Sequence, residues 1–186
     1  MGLEPSANQF CLIPLANEDG VGGNSAINGT AFAMSASARL DILAKYKRIA
    51  MVGLSSNQFR PSYFAALYLL AEGYDVIPVN PRETEILGRP CYPDLKSIPG
   101  PPPEVVNIFR DPSAVPAIVD EAIAIKAKAI WMQLGVIHLP AAEKARAAGL
   151  EVVMDRCMKI EHARFFGGLN TIGLNTGVIS AKKRPK

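Results

Sequence analysis

The sequence predicts one doubly wound α/β domain on a five-stranded parallel sheet, and three observations predict it. Short apolar runs recur along the chain, with helix-spaced apolar residues between them. The runs are mostly apolar rather than alternating, as strands covered on both faces are. A small Gly- and Ser-containing turn joins the first run to the helix that follows it, which is how strand and helix meet in such sheets.

Each element has its own justification. A short first helix is expected over Ser37 to Lys45, with Leu40, Leu43 and Ala44 as its buried face. The first strand, about Arg48 to Val52, leads through Gly53 into a helix from Pro61 to Ala71. There Phe64, Leu67, Tyr68 and Ala71 form an apolar stripe, Pro61 suits the first turn and Gly73 the stop. Asp75 to Val79 is the second strand. From Glu83 to Pro103 the density of Pro and Gly predicts an irregular excursion. The third strand, Val105 to Phe109, precedes a helix that accepts Pro116 in its first turn if Ser113 is the N-cap. Ala129 to Leu134 is the fourth strand, followed by an Ala-rich helix from Pro140 to Ala148. Leu150 to Met154 is the fifth, followed by a last helix to Phe166. Right-handed crossovers then give the order 3-2-1-4-5. Residues 1–36 read as a flexible extension, 37–167 as the domain, and 168–186 as an irregular segment with a basic tail.

Composition narrows the function. Hydrophobic residues make up 49% and charged residues 20%, proportions of a soluble globular protein. No apolar run approaches the roughly 20 residues that cross a bilayer, so no membrane partner is expected. Of 20 basic residues, Lys182, Lys183, Arg184 and Lys186 sit together at the end, and the remaining 16 balance 17 acidic ones. A nucleic-acid-binding surface is therefore not expected. Cys11, Cys91 and Cys157 are an odd number without Cys-x-x-Cys spacing, which favours a reducing, cytoplasmic location over a disulfide framework or zinc site. His138 and His162 are the only histidines; neither has the partners of a nucleophilic triad, and no metal-ligand cluster or catalytic residue is assigned.

In a doubly wound sheet, ligands sit at the carboxyl ends of the strands. The candidates are therefore Gly53, Ser55, Ser56, Asn57, Arg60, Pro61 and Ser62 after the first strand, and Asn80, Pro81 and Arg82 after the second. Phe109 and Arg110, Gln133 and Gly135, and Cys157 follow the remaining three. Gly53 lets the backbone turn off its strand, while Ser55, Ser56 and Asn57 are expected to leave amides and hydroxyls facing a ligand. A helix N-terminus with Arg60 beside it attracts phosphate. The turn is neither Gly-x-Gly-x-x-Gly nor a Walker A sequence. Where an NAD site carries an acid, this chain has Asn80-Pro81-Arg82, and Arg82 suits a phosphate on the ribose of NADP or of coenzyme A, or is merely solvated.

The stretches Val52-Gly53-Leu54-Ser55-Ser56-Asn57, Arg60-Pro61-Ser62-Tyr63 and Ile77-Pro78-Val79-Asn80-Pro81 resemble the small stand-alone CoA-binding protein family. So do Ile108-Phe109-Arg110, Trp131-Met132-Gln133-Leu134-Gly135 and Val153-Met154-Asp155-Arg156-Cys157. The match runs from about Ala44 to Phe165, and the domain is similar to the N-terminal half of the succinyl-CoA synthetase alpha subunit. The resemblance implies a Rossmann-like domain with coenzyme A or a short acyl-CoA as ligand. It implies pyrophosphate at Gly53 to Arg60, the adenosine and its phosphate near Asn80, Pro81 and Arg82, a nucleotide wall at Ile108 to Arg110, and the pantetheine arm at Gln133 and Gly135. It makes the chain a carrier, redox buffer or regulator without turnover of its own. An NADP-linked oxidoreductase and a subunit of a split acyl-CoA synthetase are the alternatives, with a homo-oligomer or a synthetase-like partner to match. Cys157, beside Arg156 at the fifth strand end, is a candidate for a mixed disulfide with the coenzyme thiol, against an inert buried cysteine.

Overall fold

The computed structural model describes residues 34–167. The expected extension over 1–36 and the expected irregular segment over 168–186 lie outside that range, except for Met34, Ser35 and Ala36. The strands are β1 (Arg48–Val52), β2 (Asp75–Val79), β3 (Glu85–Ile86), β4 (Arg89–Pro90), β5 (Val105–Ile108), β6 (Ala129–Met132) and β7 (Glu151–Val153). The helices are α1 (Ala36–Lys45), α2 (Pro61–Ala71), α3 (Val115–Ala124), α4 (Leu139–Ala147) and α5 (Met158–Phe166).

Five strands form one parallel sheet, β2-β1-β5-β6-β7, while β3 and β4 make a separate antiparallel hairpin. The doubly wound α/β class is as expected, but the third long strand lies elsewhere: the order is 2-1-3-4-5 rather than 3-2-1-4-5. The excursion after β2 explains it. Tyr92 lies against β2, donating its N–H to Pro78 O at 3.1 Å and accepting Asn80 N–H at 2.8 Å. That edge is thus occupied by the excursion, and β5 pairs with β1 instead, Val105 beside Ile49 and Ile108 beside Val52. The point where the winding reverses is consequently the gap between β1 and β5.

Alternation along each strand sends side chains to two cores. Ile49 and Met51, Val105, Trp131 and Val153 pack on the face covered by α1, α2 and α5. Ala50, Val106, Ile108, Ile130, Met132 and Val152 pack on the face covered by α3 and α4. Burying each large aliphatic side chain contributes about 1.5–3 kcal/mol.

Three local expectations change. The apolar stripe of α2 faces outward, with Phe64 at 52% and Leu67 at 44% exposure, while Ser62, Ala65, Ala66 and Leu69 meet the sheet. Small alanines let this helix lie close, and a helix apolar all round has no periodicity to reveal its inner face. In α1 the buried face is Arg39, Ile42 and Leu43 rather than Leu40, Leu43 and Ala44. Ser113 does not cap α3: Asp111 caps a 3-10 turn, Pro112–Ala114, that leads into it, and Pro116 sits in the first turn of the helix as expected. The Ser113 hydroxyl bonded to Asp111 holds that carboxyl below the usual range.

One buried cluster fastens α5. Glu161 accepts Arg39 Nε at 2.9 Å and Arg164 Nη1 at 3.1 Å, and Arg39 also donates to Met34 O. His162 Nδ1 lies 3.0 Å from Tyr68 OH, and its ring meets Tyr68, Tyr74 and Phe166. Burial lowers the His162 pKa and pushes the Tyr74 phenol up to about 12, while Tyr74 OH donates to Leu43 O at 2.6 Å. The contacts place His162 among the groups that hold α5 on α1 and α2.

Candidate functional site

Five strand ends and the loops that leave them enclose one cleft of about 890 Å³, within the usual range for small-molecule sites. Gly53 explains how its floor closes. With φ +87, its backbone passes so near the β5 end that a Cβ there would meet Phe109 O at 2.5 Å and Arg110 Cδ at 2.7 Å. Gly53 N–H donates to Val79 O and Phe109 N–H to Val52 O, both at 2.8 Å, so the β1 end is tied to β2 on one side and, across the winding reversal, to the β5 end on the other.

From the β2 end to the β7 end, the walls change character. Asn80 and Arg82 follow β2; Ser55, Arg60, Pro61 and Ser62 follow β1; Phe109 and Arg110 follow β5. Gln133 follows β6, and Cys157 and Lys159 follow β7. Arg60, Arg82, Arg110 and Lys159 make no ion pair among the described residues, whose ion pairs involve Arg39, Arg48, Arg89, Lys144 and Arg164. The cleft therefore gathers four basic side chains that no ion pair among the described residues takes up. Four steps of about 4.8 Å separate the outer strands, giving a span of about 19 Å.

Eleven of the fifteen residues expected from the sequence line this cleft; Ser56, Asn57, Pro81 and Gly135 do not. The loop also departs from expectation in its amides. Ser55 N–H donates to Ser62 Oγ at 3.3 Å, Ser56 N–H to Glu83 Oε1 at 3.2 Å, and Asn57 N–H to Ser55 Oγ at 3.2 Å. Ser and Asn side chains fold back on local backbone, so these donors hold the loop rather than face a ligand. At the start of α2, Arg60 makes no side-chain cap and Pro61 carries no amide. Asn80 is likewise committed: Nδ2 donates to Leu54 O at 2.9 Å and Oδ1 accepts Arg82 N–H at 3.1 Å. Gly135 N–H donates to Asp155 Oδ1 at 2.8 Å, tying the β6 loop to the β7 loop.

Cys157 stands at the N-cap of α5, half-buried and free. Cys91 differs: it is buried, and burial raises its thiol pKa. Trp131 is fully buried and donates Nε1–H to Arg156 O at 2.7 Å, a core role. His138 caps α4, its Nδ1 accepting Ala141 N–H at 3.1 Å. No group of three potential metal ligands occurs among the described residues.

Sequence reasoning missed Phe64, Ala65, Val136, Lys159 and Ile160, which also line the cleft. Lys159 was findable, because it lies two residues past Cys157 in the first turn of the helix leaving a strand end. The apolar members carry no such signal.

A family model described as CoA binding domain matches residues 47–163. The chain belongs to this CoA-binding domain family. The uncharacterized protein YneT of Bacillus subtilis is 37% identical over 123 residues, which is 66% of this chain and 90% of that protein. Among solved structures, Prb, a protein redesigned for binding, is 42% identical with TM-score 0.71, covering 73% of this chain and 94% of its own. A hypothetical protein from Pyrococcus horikoshii is 39% identical with TM-score 0.70, covering 79% of this chain and 100% of its own. The matched part of this CoA-binding domain begins just before β1 and ends within α5, so it contains every strand and loop that forms the cleft.

Proposed function

We propose that the chain binds coenzyme A or a short acyl-CoA non-covalently in this cleft, acting as a carrier, redox buffer or regulator without turnover of its own. The observation that carries the reading is the polarity of the cleft along its length. Three arginines, Arg82, Arg60 and Arg110, follow adjacent strands at one end, and a free thiol stands at the other with Lys159 beside it, the outer strands being about 19 Å apart. Coenzyme A has the same order: a 3'-phosphate and pyrophosphate on adenosine, then an amide-bearing arm, then a thiol. Membership of the CoA-binding domain family supports the same ligand.

Calorimetric titration with coenzyme A, dephospho-coenzyme A and NADP tests it. Coenzyme A is expected to bind most tightly, and loss of the 3'-phosphate to weaken it. Binding of NADP without coenzyme A would overturn the reading in favour of a reductase. Arg60→Ala is expected to reduce coenzyme A affinity about 10- to 100-fold, the range for a charged hydrogen bond to phosphate. Unchanged affinity would remove Arg60 from the site.

The thiol end adds a redox expectation. Cys157 thiolate attacks one sulfur of CoA disulfide, forming a protein–CoA disulfide and releasing coenzyme A thiolate, while the proton of Cys157 passes to solvent. Intact mass after incubation with CoA disulfide is expected to rise by one coenzyme A moiety, and Cys157→Ser to abolish the gain. An adduct that survives Cys157→Ser would exclude Cys157 as its site.

A further inference from the structure

We propose that Asn107 is a positioning residue that fixes the amide of Gln133, so that the cleft offers a hydrogen-bond acceptor at its β6 end and selects a ligand with an N–H donor there. This rests on the coenzyme A reading and sharpens it: the matching group is an amide N–H of the pantetheine arm.

Asn107 sits mid-way along β5, fully buried, with Met51 of β1 and Trp131 of β6 as its register partners. A buried amide in such surroundings is costly unless its polar atoms are paired. Its Oδ1 accepts Gln133 Nε2–H at 2.7 Å, and its Nδ2 lies 3.6 Å from Met158 Sδ. Two facing carboxamides can be paired in either of two flipped arrangements. Met158 breaks the tie, because a thioether sulfur accepts weakly and never donates. Asn107 therefore turns its NH₂ to the sulfur and its oxygen to Gln133, and Gln133 must answer with its own NH₂.

That leaves Gln133 Oε1. Gln133 is 4% exposed yet lines the cleft. Its Oε1 accepts no bond from the described residues, and the one buried side-chain polar atom without a partner among them is Arg164 Nη2. Among the described residues Oε1 is therefore unpaired, and it is the remaining polar atom that Gln133 can offer to the cleft. With Leu134 and Val136 beside it, a ligand carbonyl or phosphate would meet a lone pair here without a donor. A secondary amide N–H meets a match.

The test titrates wild type, Asn107→Leu and Gln133→Leu with coenzyme A and with adenosine 3',5'-bisphosphate, which has no pantetheine arm. Each substitution is expected to weaken coenzyme A about tenfold, one neutral hydrogen bond, and to leave the bisphosphate within about twofold. A parallel loss of both ligands, or no loss for coenzyme A, overturns the proposal. If Asn107→Leu does not fold, Gln133→Leu and wild type with coenzyme A analogues carrying an ester oxygen in place of an amide N–H decide it. A loss of about tenfold at one of the two amides is expected, and none at either overturns the proposal. Wild type that binds neither ligand fails the coenzyme A reading itself, and this inference with it.

Discussion

Glu161→Leu is expected to lower unfolding free energy by about 3–5 kcal/mol, because it strands two buried cations. Arg39 and Arg164 keep only 10% and 11% of their side-chain surface, and both rely on the Glu161 carboxylate. One nitrogen, Arg164 Nη2, is already buried without a partner among the described residues, so none of them is placed to absorb the loss of the remaining bond. The functional consequence follows from what the triad joins. Arg39 is on α1 and Glu161 on α5, 122 positions apart, and α5 carries Lys159 and opens at Cys157. Denaturant unfolding measures the loss, and replacing Arg39, Glu161 and Arg164 together by Leu is expected to recover most of it, since charge and partner leave together. A loss below about 1 kcal/mol for Glu161→Leu alone would show that the cations find other compensation.

That triad was not legible in the sequence. Strands and the β1 turn were, because apolar runs and the Gly53–Pro61 joint are local signals. The order of the strands was not, since it depends on where Tyr92 pairs, and an isolated bridge to Val79 has no pattern of its own. The strand-end rule placed Arg60, Arg82, Arg110 and Gln133 together because it needs only topology, and both orders put them at the same edge. What it does not foresee is that the amides of Ser55, Ser56 and Asn57 are taken by neighbours. Ser56 donates to Glu83, a residue 27 positions away that no local reading connects to it. In the sequence Asn107 is one more residue of a strand; only the register that sets it beside Trp131, two residues short of Gln133, gives it a partner.

Gly53→Ala is expected to cost about 3 kcal/mol and to weaken coenzyme A more than tenfold, through two separable effects. The backbone there is left-handed, which costs a residue with a Cβ about 1–2 kcal/mol. The added methyl also falls 2.5 Å from Phe109 O, a backbone atom that a flexible side chain cannot relieve. Overpacking of that kind costs about 1–3 kcal/mol. Gly73 separates the two: its φ is +81, and nothing lies within 4 Å of its would-be Cβ. Gly73→Ala therefore carries the backbone cost alone, and the excess of Gly53→Ala over it measures the close approach. Relief of the clash moves Phe109 and Arg110 away from β1, widening the cleft where the winding reverses and carrying one of its arginines out of place. Equal losses from the two substitutions, with coenzyme A affinity intact in both, would mean that Gly53 serves the turn and not the contact.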